Sequence, residues 1–123
     1  MAILAFERSD IMKDEDLEEL ARSVADLLGE GWRFREDDED WRTFLDNGDG
    51  PSIMFNTTWH QGRLALYGYL GDLHNFLPHD YKRPEITVSL DSDAERVAKQ
   101  IKSRLLPNYS ELWRIGTEKK RRV

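Results

Sequence analysis

The chain has 123 residues, a formal net charge of −6, 39% hydrophobic side chains and no cysteine. That length makes one domain with a real core, and the missing thiols exclude a disulfide framework, a thiolate metal site and a cysteine nucleophile. No apolar run reaches the roughly 18 residues of a membrane span, and the opening MAILAFERSD is too short for a secretory leader, so a cytoplasmic protein is expected.

In chain order, Ala2 to Phe6 read as a short first strand. In KDEDLEELARSVADLLGEG, Leu17, Leu20, Ala21, Val24, Leu27 and Leu28 form a helical apolar stripe. Asp14 is the expected N-cap, and Gly29 or Gly31 the expected stop. From Trp32 the apolar period changes from 3.6 to 2. Trp32 and Phe34 alternate with Arg33 and Arg35, DDED (37–40) makes a turn, and WRTFLD follows as a second strand closed by NGDGP. Ile53, Phe55, Thr57 and Trp59 alternate in a third. Gln61-Gly62 turns the chain into RLALYGYLG, where Leu64, Leu66 and Leu70 alternate with Arg63, Ala65, Tyr67 and Tyr69. Short connections make these strands an antiparallel meander.

GDLHNFLPHDYKRP (71–84) has no clear period and reads as a long loop. Ile86, Val88 and Leu90 then alternate in a fifth strand. Ser92 and Glu95 have capping-box spacing. Beyond them Ala94, Val97, Ala98, Ile101 and Leu105 fall on one helical face, and Pro107 is expected to end that helix near Leu106. NYSELWRIG reads as one or two helical turns folding Leu112, Trp113 and Ile115 back on the core. The elements compose an α+β domain: an N-terminal helix, a four- to five-stranded, mostly antiparallel sheet, and a C-terminal amphipathic helix packed on one sheet face as a two-layer sandwich. The domain covers residues 1–116, and 117–123 (TEKKRRV) are expected to be a flexible basic tail.

Charge divides along the chain. Residues 1–50 hold 16 acidic and 6 basic side chains, a net of −10, and the rest carries +4. The acidic run Glu36, Asp37, Asp38, Glu39 and Asp40, extended by Glu15, Asp16, Glu18 and Glu19, has the charge density to imitate a line of phosphates in a basic groove. A solvated hairpin turn accounts for the same residues structurally. Arg96, Lys99, Lys102 and Arg104, with Lys119, Lys120, Arg121 and Arg122, are candidates for gripping phosphates, or form an ordinary wet helix face and a soluble tail. The alternation of Tyr67, Tyr69 and Arg63 is suited to stacking bases, or those rings cover a helix. His60, His74 and His79, with Asp72 and Asp80, are the remaining candidates for acid/base or metal chemistry, but their spacing matches no ligand motif. Phosphate-loop, dinucleotide and nucleophile-elbow patterns are absent, and neither a cofactor nor a metal is expected.

The stretch ITVSLDSDAERVAKQIKSRLLPNYSELW, with Arg104, Leu105, Leu106, Pro107, Asn108 and Tyr109 at its helix stop, resembles the C-terminal part of short, functionally uncharacterised proteins of bacteria, their phages and plasmids. The resemblance covers about a quarter of the chain, rests on structural residues and carries over no site. It implies a mobile-element origin and, by association, an inhibitor of host defence such as an anti-CRISPR protein. The leading expectation is therefore a non-enzymatic acidic interaction module, with Glu36–Asp40, Tyr67 and Tyr69 meeting a protein partner that has a basic surface. A nucleic-acid-associated accessory protein using the basic helix and tail is the second reading. A small hydrolase-like enzyme using His74 and His79 is the third.

Overall fold

Antiparallel pairing runs through the sheet in chain order, which is what short connections between period-2 segments dictate. The computed structural model describes residues 14–35, 43–48, 50–57 and 62–122. Within them, α1 (Asp14–Leu28) precedes β1 (Arg33–Arg35), β2 (Thr43–Asp46), β3 (Ser52–Asn56) and β4 (Arg63–Tyr69). A 3₁₀ turn (Gly71–Phe76), β5 (Glu85–Ser89) and a long C-terminal helix follow. The five strands form one sheet in the order β1-β2-β3-β4-β5, every neighbour antiparallel. The architecture is α+β, as the sequence predicts. The strand expected at 2–6, the acidic run Glu36–Asp40, and His60 and Gln61 lie outside the described residues.

Register sorts the side chains into two faces. Across the strands Phe34 pairs with Leu45, Leu45 with Ile53, and Ile53 with Gly68. Phe55, Leu66 and Ile86 make the next row, and Leu64 pairs with Val88. This face is buried under Leu17, Ala21 and Val24 of α1 and Val97, Ile101, Leu105 and Tyr109 of the C-terminal helix. Helix α1 packs on β1 and β2 and along the start of the C-terminal helix, whose middle lies over β4 and β5. Such burial contributes roughly 1.5–3 kcal/mol per large apolar side chain, an upper estimate.

The C-terminal helix departs from the sequence reading in three places. Its N-cap is Asp93, whose carboxylate accepts from the Arg96 N–H at 2.8 Å. Ser92 instead ends a turn, its N–H donating to the Ser89 carbonyl at 3.1 Å, and its buried hydroxyl has no partner. Pro107 does not end the helix. After α2 (Ala94–Gln100) the backbone widens into a π segment (Ile101–Leu105), then resumes as α3 (Leu106–Arg121) with Pro107 in its first turn. The Leu106 N–H reaches back five residues to the Ile101 carbonyl, so the chain is already out of α register where proline lacks its donor. The third departure is the expected tail: residues 117–121 are the last turns of α3.

The 71–84 segment is also more ordered than its composition suggests. Leu73 of the 3₁₀ turn is buried against Gly116 of α3, where a Cβ would come within 3.1 Å of the Leu73 Cβ. Lys120 and Asp72 form an ion pair beside this contact, and the hydrogen bond from Lys120 holds the Asp72 carboxyl below its ordinary range.

Candidate functional site

Both long helices cover one face of the sheet, so the other face carries whatever the alternating positions put there. Its central row runs Arg35, Phe44, Met54, Tyr67 and Glu85; beside it lies the row Arg33, Asp46, Ser52 and Tyr69. Tyr67 and Tyr69 therefore point away from α1 and the C-terminal helix. Of the two sequence readings of these rings, the one that has them covering a helix is excluded for the described helices.

Arginines frame the face. Asp46, only 7% exposed, sets Oδ1 3.6 Å from the Arg33 Nε and Oδ2 3.1 Å from an Arg35 guanidinium nitrogen, and Oδ1 also accepts from the Gly48 N–H. Arg63 donates to the Thr87 carbonyl at 3.1 Å. Arg83 sits 5.0 Å over the Tyr67 ring and 3.5 Å from the Glu85 carboxylate. The Arg35 guanidinium similarly lies 6.0 Å from the Phe44 ring centre.

At the β4–β5 end of this face the strands and the 71–84 segment enclose a cleft of about 180 Å³, lined by Tyr67, Tyr69, His74, Tyr81 and Arg83 over a floor that includes Gly68. His74 Nδ1 and the Tyr81 hydroxyl are 2.9 Å apart, the rings meeting edge to face. Tyr69 is 55% exposed, an unusual setting for so large a ring. The structure thus brings together the two tyrosines and the histidine-bearing segment, which the sequence offered as separate candidates.

The floor of the cleft is held from behind by Tyr109. Its ring lies on Gly68 so closely that a Cβ there would stand 2.4 Å from ring carbons. Its hydroxyl accepts from the Ser52 N–H at 2.9 Å and donates to the Tyr69 carbonyl at 2.7 Å, bridging two groups that face each other across the β3–β4 ladder. Burial pushes the Tyr109 hydroxyl up to about 12. Trp113, edge-on to Tyr109, fills the space beside Gly50, whose positive φ of 115° suits glycine. Sequence reasoning passed over Tyr109. The signal was a glycine standing where the Leu64, Leu66 alternation calls for an apolar side chain.

The remaining sequence candidates are dispersed. Arg96, Lys99 and Lys102 are exposed on the first half of the C-terminal helix, and Lys119, Lys120, Arg121 and Arg122 at its far end. About 25 Å of helix separates Lys102 from Lys119. Several of these cations are engaged: Lys102 donates to the Leu27 carbonyl at the end of α1, Arg104 to Gln100, and Lys120 to Asp72. A larger groove of about 450 Å³ between α1 and α2 is lined by Leu27, Ala98 and the stems of Lys99 and Lys102. His74 bonds Tyr81 rather than Asp80, and His79 is exposed in the turn where the Tyr81 N–H bonds the Pro78 carbonyl. Among the described residues no three His, Asp or Glu side chains converge as metal ligands, and no helix is long and apolar enough to cross a membrane. No family model, curated protein or solved structure matches the chain.

Proposed function

We propose that the chain is a non-catalytic, acidic interaction module of phage or mobile-element origin. It inhibits a nucleic-acid-binding host machinery, a CRISPR-type defence complex being the leading case, by laying carboxylates in that partner's basic groove. The supporting observation is where exposed carboxylates cluster without an ion pair among the described residues. Glu15, Asp16, Glu19 and Asp26 are exposed on α1, and none forms an ion pair with another described residue. Elsewhere Asp72 pairs with Lys120, Glu111 and Glu118 with Arg114, and Glu85 with Arg83. Glu30, Asp80, Asp91 and Glu95 are exposed without an ion pair to another described residue, but they are scattered; what sets α1 apart is that its acids cluster on one element. The acids at 15, 19 and 26 recur at helical spacing on the face turned from the core, a spacing that solubility alone does not require. The resemblance of the C-terminal stretch to mobile-element proteins supplies the origin, by analogy.

The test is capture from a bacterial lysate at low salt on the immobilised chain, followed by association kinetics with the retained protein. Glu15→Gln, Asp16→Asn and Glu19→Gln together slow association while dissociation changes little, because complementary fields act chiefly on the on-rate. At 1 M salt, where the screening length is about 3 Å, wild type and variant converge. Equal association rates at low salt would sink the reading. The variant's melting point is the control, since first-turn acids also contribute ~0.3–1 kcal/mol each through the helix dipole.

A further inference from the structure

We propose that the cleft at the β4–β5 end of the sheet face that none of the described helices covers holds an unpaired base of a single-stranded nucleic acid, stacked on the exposed ring of Tyr69, with the framing arginines carrying the phosphates. Three observations converge on this occupant.

The first is the rings. Tyr67 and Tyr69 share a face two residues apart on β4, about 6.6 Å along a strand. That is about twice the 3.4 Å step of stacked bases, the stride of a strand whose bases have been splayed apart. Tyr67 already carries the Arg83 guanidinium on its face at 5.0 Å, and Tyr69 is open at 55% exposure. An exposed flat ring is what an unstacked base needs, and every base has a π face to offer.

The second is size. At about 180 Å³ the cleft falls below the ~300 Å³ at which small-molecule pockets begin. It accommodates one planar ring of a longer molecule that continues across the sheet. The His74–Tyr81 pair at its wall supplies polar groups of the kind a base edge can hydrogen-bond.

The third is charge. In a chain of net charge −6, this face carries Arg33, Arg35, Arg63 and Arg83 against the carboxylates Asp46 and Glu85 alone among its described strand positions. Asp46 sits between two arginines and fixes them at the sheet edge rather than cancelling both. A polymer that offers bases and phosphates together uses rings and arginines at once, whereas an acidic peptide uses only the arginines. A duplex cannot use the rings, because its bases are already stacked. The proposal stands apart from the acidic reading of α1, which lies on the opposite side of the sheet.

The experiment is fluorescence anisotropy of labelled short oligothymidylate, oligouridylate and a duplex of equal length, titrated with the intact chain at low and physiological salt. Both single strands, or one of them, bind more tightly than the duplex, and a preference between them names the sugar recognised. Tyr69→Ala weakens binding about 5- to 150-fold, the equivalent of ~1–3 kcal/mol per stacked base, and Tyr69→Phe restores it. Arg83→Gln lowers the slope of log affinity against log salt by about 0.7. Should Tyr69→Ala lower the melting point, the exposed Arg83 side chain tests the same cleft without touching the core. No binding of either single strand at low salt overturns the proposal, as does an unchanged affinity in both variants or equal affinity for the duplex. Binding that survives Tyr69→Ala but is displaced by polyglutamate also overturns it, and assigns the face to acidic peptides.

Discussion

Removing one oxygen, in Tyr109→Phe, tests how the C-terminal helix is fastened to the sheet. Tyr109 is 1% exposed, and its hydroxyl links the Ser52 N–H to the Tyr69 carbonyl at 2.9 and 2.7 Å. Phenylalanine keeps the ring on Gly68 but leaves a donor and an acceptor facing each other without the bridging atom. An unsatisfied buried polar group costs about 1–3 kcal/mol, so the expected loss at neutral pH is about 2 kcal/mol. At roughly 3–5 °C per kcal/mol for a domain of this size, the melting point falls by about 6–10 °C. Urea unfolding followed by tryptophan fluorescence measures the free energy, and its pH dependence gives a second signature. The Tyr109 hydroxyl titrates at about 12 in the fold against 10.0 ordinarily. Its contribution is therefore whole below pH 10 and is lost as pH rises through 12. By pH 11 wild type loses about 1.4 kcal/mol that Tyr109→Phe does not, so the two stabilities draw together in alkali. A neutral-pH difference under about 0.5 kcal/mol, or a gap that stays constant from pH 8 to 11, would show that the hydroxyl is not in the ladder.

Gly68→Ala places a methyl 2.4 Å from the Tyr109 ring and is expected to destabilise by about 3 kcal/mol in urea unfolding, since overpacking forces backbone movement; a neutral outcome would mean the ring does not lie there. Asp93→Ala removes the helix cap and costs about 1 kcal/mol, whereas Ser92→Ala, which deletes a buried hydroxyl without a partner, is neutral or stabilising within about 0.5 kcal/mol; the reverse order would restore the capping box at Ser92. Ile101→Ala, at a fully buried position, costs about 2–5 kcal/mol in the same assay, while exposed Lys99→Ala stays within about 0.5; equal small effects would contradict the packed face of the helix.

Legibility followed the range of the interactions. The strands at 52–56, 63–69 and 85–89 and both apolar helix stripes were readable because period and turn chemistry are local. The cap slipped by one residue because Ser92 and Asp93 are both competent, and the choice depends on the turn that absorbs the Ser92 N–H. The stop at Pro107 failed for a non-local reason. Ile101 and Leu105, both fully buried, lie in the widened turn over β4 and β5, and no periodicity within the helix announces that widening. The 71–84 segment looked unstructured because its buried contacts, Leu73 on Gly116 and the Pro84 carbonyl bonded to the Gly68 N–H among them, join residues far apart in the chain.

The candidate site shows the same limit more sharply. Alternation on β4 put Tyr67 and Tyr69 on a common side and Leu64 and Leu66 on the other, but period 2 does not say which side a helix will cover. Ala65, on the tyrosine side, is as buried as Leu64, so even burial along this strand leaves the faces ambiguous. What decides the matter is Gly68. It belongs to the leucine side by parity, and it is the position the Tyr109 ring occupies. A helix bearing a large aromatic can dock only on the face where the sheet leaves room, so the glycine fixes the helix side and thereby turns Tyr67, Tyr69 and the arginines to the other. The same contact anchors the Tyr69 carbonyl through the Tyr109 hydroxyl. Stability and the tyrosine face are thus coupled through one side chain: a perturbation at Tyr109 reaches the cleft by loosening the backbone of Tyr69, while a change to the exposed Tyr69 ring is expected to leave the helix seated.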